Sequence, residues 1–256
     1  MQKVYISQSR HLAAFVALIL LLSLAGCATS PDNHETRDPL ERYNRVMYAF
    51  NEKVDTYALK PLAKGYQAVT PAFVDRGVTN FFNNLDDVTN LINNLLQLKP
   101  AAALSDLGRI TINSSLGLFG LVDVATAFQL EKHDEDFGQT LGYWGVSSGP
   151  YLVLPFWGPS TVRDTFGLGG DYFTEPYTYI EDQRTRYALF SLEAIDTRAD
   201  LLAASRILER STFDPYAFLR DAYLQQRRNQ IFDGNPPLEM DEEFLFDDEF
   251  DEWGNE

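Results

Sequence analysis

The sequence has 256 residues, a formal net charge of −16 and one cysteine. A single cysteine excludes an intramolecular disulfide and a cysteine-built metal site. The acidic balance argues against nucleic acid as a partner, and against anionic lipid held by a polybasic patch, because both need clustered Lys and Arg.

Residues 1–26 read as a signal peptide: Lys3 and Arg10 supply a positive start, an apolar run follows from Leu12, and Leu24-Ala25-Gly26-Cys27 resembles a lipoprotein processing site. Cys27 is then the expected lipidation site, with the covalent lipid as its only prosthetic group. An uncleaved anchor or a plain secretory peptide is the alternative. Ala28, where an aspartate would otherwise stand, implies onward transport to the outer membrane in bacterial lipoproteins. Removing 1–26 leaves 230 residues, enough for one sizeable domain. Residues 27–37 are polar and read as a tether.

Asp38 and Pro39 suit a helix cap and first turn, and apolar positions from Leu40 to Val54 predict a helix running to Tyr57. Between Pro71 and Pro100 the spacing of Val78, Phe82, Leu85, Val88, Ile92 and Leu96 predicts a long helix over 75–98. Its other face carries amides, among them Asn80, Asn83, Asn90 and Asn94. Such a face suits a polar cavity, contact with other backbone, or solvent. A further helix is expected from Pro100 to about Ile112. The apolar stretches 116–122 and 124–130 then precede a charged break at 131–136 (EKHDED), and a second apolar arm follows. The outline is a hairpin whose polar tip reaches water or a headgroup layer.

Residues 137–164 mix aromatic and aliphatic side chains with Gly142, Gly145, Gly149, Pro150, Pro155 and Gly158. Glycine permits hinge dihedrals and proline stops helices, so Gly142, Gly145 and Gly149 are candidate pivots. The best strand candidate is 151–156. Beyond it, helices are expected over 186–210 and from the Asp214-Pro215 cap to Phe232. Residues 233–256 form an acidic tail with interleaved aromatics, read as disordered or as a docking peptide. The fold class is mainly α.

Gly145-Val146-Ser147-Ser148-Gly149 formally matches a lipase elbow with Ser147 as nucleophile. The elbow needs a strand before the serine and a histidine later in the chain, but His11, His34 and His133 all lie upstream. His133 beside Asp134, Glu135 and Asp136 lacks the ligand spacing of a closed metal site, so no metal is expected. No phosphate-binding glycine loop follows a strand. Two readings remain: a path for an amphiphile, or a compact lipoprotein whose glycines and aromatics only pack a core.

Several strings resemble the MlaA/VacJ family of outer-membrane lipoproteins: Asp38-Pro39-Leu40-Glu41 with Asn44-Arg45; Phe137-Gly138 with Thr140-Leu141-Gly142, Gly145-Val146 and Gly149-Pro150-Tyr151; Leu154-Pro155-Phe156; Arg163-Asp164; Ala194-Ile195-Asp196-Thr197-Arg198-Ala199; and Asp214-Pro215-Tyr216. The resemblance covers 38–232. It implies a single helical ring-like domain embedded in the inner leaflet of the outer membrane, with a glycine-hinged apolar hairpin and an amphipathic channel. It also implies a function: removing mislocalised phospholipid from the outer leaflet, passing it to a periplasmic lipid carrier, and association with a trimeric porin. No covalent chemistry or cofactor is implied. Asn83, Asn90, Asn94, Phe128 and Leu141 are the candidate channel-lining residues.

Overall fold

The computed structural model describes residues 38–211 and 213–237. The signal peptide, Cys27, the tether and the acidic tail from 238 onward lie outside the described residues. Helix α1 (Glu41–Val54) continues through a π-helical turn (Asp55–Leu59) into α2 (Lys60–Val69). The π turn stands just before Pro61, where the missing N–H and the ring displace the regular hydrogen-bond ladder. The helix expected to end near Tyr57 therefore runs on, until extended Thr70 and Pro71 stop it. Asp38 does not cap α1. Leu40 occupies that position, and the Asp38 carboxylate is buried, accepting from Asn44 Nδ2 at 2.9 Å and from the Tyr216 hydroxyl.

Helices α3 (Ala72–Leu96) and α4 (Pro100–Ser115) pack on each other. Their contacts run in opposite chain directions, Asn94 to Asp106, Asp87 to Arg109 and Asn84 to Ser114, as expected of an antiparallel pair. After a 3₁₀ turn (Ala125–Phe128) come α5 (Phe137–Tyr143), β1 (Tyr151–Leu154), β2 (Gly158–Thr161), α6 (Val162–Thr174) and a second 3₁₀ turn (Pro176–Tyr179). Helices α7 (Gln183–Asp200), α8 (Leu202–Ser211) and α9 (Pro215–Ile231) complete the described chain. The strands form an antiparallel hairpin with Tyr151 opposite Thr161 and Leu154 opposite Gly158. Pro155 ends β1 two residues before the expected boundary. The single helix expected over 186–210 breaks at Leu201, and Arg198 spans the break, bonding Asp55 on one side and Ser205 on the other. Asp214 caps α9 as expected, accepting from Tyr216 and Ala217 N–H.

Polar side chains dominate the interior. Among the described residues more than twice as many polar or charged residues are buried as apolar ones. The buried apolar groups form small clusters, Ala63–Ala199–Leu202 and Tyr151–Val153–Tyr216. On α3 the amide face is inside and the apolar face is partly out: Asn90, Asn93 and Asn94 are buried while Leu95 and Leu96 are exposed. The buried amide nitrogens of α3 donate to packed backbone and side chains, Asn90 to the His133 carbonyl, Asn94 to Asp106 and Asn84 to Ser114, while the Asn84 and Asn94 Oδ1 atoms are buried without a partner among the described residues. Exposed Leu104, Leu116, Leu118, Phe119 and Phe128 extend the apolar exterior.

The charged run 131–136 is divided: Glu131, Lys132 and Asp134 are exposed, as the polar-tip reading expects, whereas Glu135 is buried. His133 Nδ1 lies 2.7 Å from buried Asp106, and its carbonyl accepts from Asn90 at 2.7 Å. Glu135 is buried, its N–H donating to Asn90 Oδ1 and its carboxylate accepting from Gln97 and Lys99. His133 and Glu135 are drawn inward because Asp106 and the amide face of α3 supply the partners that water would otherwise provide.

Candidate functional site

Helices α5 and α6 touch backbone to backbone. A Cβ on Gly167 would lie 2.5 Å from Gly138 N, so only glycine allows this approach. Side-chain caps fix the local helix starts, with Asp136 accepting from Gln139 N–H, Thr161 from Asp164 N–H and Asp182 from Thr185 N–H. The β hairpin and α6 line two neighbouring cavities, the larger completed by the second 3₁₀ turn and α7 and the smaller by Asp136 and α9.

The larger cavity is about 680 Å³ and has aromatic walls from Trp157, Tyr172, Tyr177, Tyr187 and Phe190. Its charged groups are Asp171, Glu175 and Arg186. The smaller, about 220 Å³, is floored by Asp136, Asp164, Tyr223 and Arg227. Leu154, Trp157, Leu168 and Asp171 line both, so the two share a wall and the lining passes from apolar to charged.

The charged floor is fully paired. Arg227 grips Asp136 through Nη1 at 2.5 Å and Nη2 at 2.9 Å, and reaches Asp164 at 3.0 Å. Asp164 also accepts from Arg163 at 2.7 Å and from the Tyr223 hydroxyl at 2.8 Å. Burial pushes the Asp164 carboxyl up, but hydrogen bonds from Arg227, Arg163 and Tyr223 prevail and hold it at about 2. Asp171 has the opposite balance. Burial pushes it up to about 7, and the Phe137 N–H at 2.8 Å offsets only part of that, while Asp136 and Glu175 add like charge. Burial likewise raises Glu193 to about 7 and Asp86 to about 6, with Glu175 adding like charge to both.

Arg186 stands apart. Its guanidinium donates to the Thr178 carbonyl at 3.3 Å and lies 5.9 Å from the Tyr187 ring centroid. Among the described residues it forms no ion pair with a carboxylate, unlike Arg109, Arg163 and Arg227.

None of the five lining residues expected from the sequence contributes to these cavities. Asn90 and Asn94 spend their amides in the interior, Asn94 on Asp106 at 2.8 Å. Asn83 accepts from Lys132 at 2.5 Å, Phe128 projects outward, and Leu141 is half-buried on α5. Gly142 sits within α5, where a Cβ would meet the tips of Arg163 and Ile231. Gly145 adopts φ +85° and terminates α5, its N–H bonding Gly142 O while Val146 N–H bonds Leu141 O, the two bonds of a glycine helix stop. Gly149 also has positive φ, close to Val162. Ser147 lies between the end of α5 and β1, so a strand follows it rather than precedes it, and the nucleophile-elbow context fails.

The groove residues Asp171, Glu175, Arg186, Tyr187 and Phe190 were missed from sequence. The signal available was Arg186, Tyr187 and Phe190 on one side of a helix, beside the aromatic run 171–180.

Comparison with known proteins places this architecture. The family profile described as MlaA lipoprotein matches residues 36–230. An Escherichia coli K12 protein named intermembrane phospholipid transport system lipoprotein MlaA is 37% identical over 208 residues, covering 79% of this chain and 82% of that protein. A Haemophilus influenzae protein of the same name is 35% identical over 225 residues, covering 85% and 90%. A solved structure described as the structural basis for maintenance of bacterial outer membrane lipid asymmetry superposes with TM-score 0.67 at 35% identity, covering 77% of this chain and 99% of that one. With a profile match across nearly all of the described helices, and relatives aligned over most of their own length, this chain belongs to the MlaA lipoprotein family.

Proposed function

We propose that this chain is an outer-membrane lipoprotein of an intermembrane phospholipid transport system. In this reading it removes phospholipid mislocalised in the outer leaflet through the paired cavities and passes it to a periplasmic lipid carrier, which maintains lipid asymmetry. The observation that carries it is the shared wall at Leu154, Trp157, Leu168 and Asp171, which joins an aromatic space to a charged one. A phospholipid needs both kinds of lining along one route, apolar for its chains and polar for its headgroup.

The polar interior and apolar exterior support residence of the domain in the inner leaflet, because lipid contacts the outside while buried polar groups pair internally. Anchoring is assigned to acyl chains on Cys27 because Leu24-Ala25-Gly26-Cys27 resembles a lipoprotein processing site. The names of the E. coli and H. influenzae relatives support the transport role. The carrier and a trimeric porin are the proposed partners, and the reaction is translocation without covalent chemistry or a cofactor.

Deleting the gene is expected to raise outer-leaflet phospholipid, with restoration by the intact chain and by Ser147→Ala but not by Cys27→Ala. Unchanged outer-leaflet phospholipid after deletion favours a purely structural lipoprotein. Loss of restoration by Ser147→Ala, with free fatty acid released by the intact protein, favours an esterase.

A further inference from the structure

Among the described residues Arg186 is the only cation lining the larger cavity, and it has no carboxylate within ion-pair distance. Its recorded partners are the neutral Thr178 carbonyl and the Tyr187 ring. Every other arginine named in the interior is neutralised: Arg109 by Asp87 and Asp123, Arg163 by Asp164, Arg227 by Asp136 and Asp164. A half-buried guanidinium in an aromatic cavity loses hydration without regaining a charge partner, and that deficit is made good by an anion entering the cavity.

The same cavity carries two carboxylates without a lysine or arginine partner among the described residues, Asp171 and Glu175, set among Tyr172, Tyr177 and Trp157. Carboxylates beside aromatic faces suit an organic ammonium, which gains from both the charge and the ring quadrupole. Leu154, Pro155, Leu168 and Phe190 supply apolar surface between and beyond the charged groups.

We infer that the larger cavity is a subsite selective for zwitterionic phospholipid headgroups, with Arg186 receiving the phosphate, Glu175 and Asp171 receiving the ammonium, and the acyl chains lying on the apolar wall. This rests on the phospholipid-path reading above and adds the class of lipid. Guanidinium geometry matches two phosphate oxygens at once, whereas an anionic headgroup that ends in hydroxyls leaves the two carboxylates unmatched. The selectivity thus comes from the acidic wall, and the affinity common to all phospholipids from Arg186.

The test is equilibrium binding of three probes to the purified full chain in uncharged detergent: dihexanoyl phosphatidylethanolamine, dihexanoyl phosphatidylglycerol, and the free headgroup glycerophosphoethanolamine. The native protein is expected to prefer the ethanolamine lipid over the glycerol lipid about tenfold, a gap of roughly 1.4 kcal/mol, and to bind the free headgroup far more weakly than the lipid. Arg186→Glu is expected to weaken both lipids by tenfold or more, and Arg186→Lys to restore most of the loss. Glu175→Gln is expected to weaken only the ethanolamine lipid and so close the gap. Equal binding of both lipids by the native protein, or variants that bind like it, overturns the headgroup assignment while leaving the path reading in place. No lipid bound at all overturns both. Free headgroup bound as tightly as its lipid replaces the lipid subsite with one for a small phosphoamine.

Discussion

Arg109 and Arg186 both point into the protein, yet they stand in opposite surroundings. Arg109 is 2% exposed and uses its donors on Asp87 at 3.2 Å, Asp123 at 3.2 Å, Thr126 at 3.3 Å and the Leu130 carbonyl at 3.2 Å. Asn113 closes the same knot by donating to Asp123 and accepting from Ala125 N–H. Burial opposes ionisation of Asp123, but hydrogen bonds from Thr126, Arg109 and Asn113 outweigh it and hold the carboxyl at about 2. Arg186 keeps an unmatched charge in an open aromatic cavity. In a protein whose interior is polar, burial of charge therefore does not mark function. Saturation does: matched charges hold the helices together, and unmatched ones face the space a ligand would fill.

This contrast predicts where substitutions act. The largest expected loss of stability is Asp87→Ala, which leaves Arg109 short of a buried partner and costs about 3–5 kcal/mol, read as loss of the folded protein or a large fall in Tm. A neutral result would show that the knot is not what joins α3 to α4. Asn44→Ala comes next. It removes a donor to the Tyr151 carbonyl at 3.0 Å and an acceptor for Val153 N–H at 2.8 Å, and unpaired buried groups cost roughly 1–3 kcal/mol each. Gly167→Ala forces a Cβ onto Gly138 backbone and is expected to cost about 1–3 kcal/mol by overpacking. Gly145→Ala has open space around it but a positive φ, so about 1 kcal/mol of strain is expected. If Gly145 is also a pivot, lipid removal falls further than that loss of stability explains.

The pH response separates a matched carboxylate from an unmatched one by sign. Asp171 has its folded pKa raised to about 7 from an ordinary 3.8, so the folded state holds its proton more tightly and stability falls as pH rises from about 4 to about 7. Asp164 is held at about 2, so its contribution is present above the ordinary carboxylate range and is lost as pH falls toward 2. The Tm gain of Asp171→Asn over the native protein is accordingly expected to grow between pH 4 and 7 and then level off. A gain that does not change with pH contradicts the assignment.

Much of the helical framework was legible because its boundaries are chemical. Pro71 and Pro100 bracket α3, Pro100 also opens α4, and Asp214-Pro215 opens α9. Within the charged run 131–136 the burial of Glu135 was not legible, because a carboxylate paired with distant Gln97 and Lys99 looks, in sequence, the same as one facing water. Strand β2 (GPST) has no alternation of apolar and polar residues and takes its pairing from β1. The groove was out of reach for another reason: its rings and charges come from the β1–β2 turn, α6, the second 3₁₀ turn and its flank, and α7, and only the fold collects them.

The central claim is that phospholipid travels through the aromatic cavity. Gly169 lines that cavity on α6, and a Cβ there would meet no atom within 4 Å, so Gly169→Trp is the substitution chosen to narrow the space. Outer-leaflet phospholipid measured in cells carrying Gly169→Trp is expected to rise to the level of the deletion, with Tm and membrane attachment unchanged. Outer-leaflet phospholipid as low as with the native chain, from a folded and membrane-bound variant, would contradict the account.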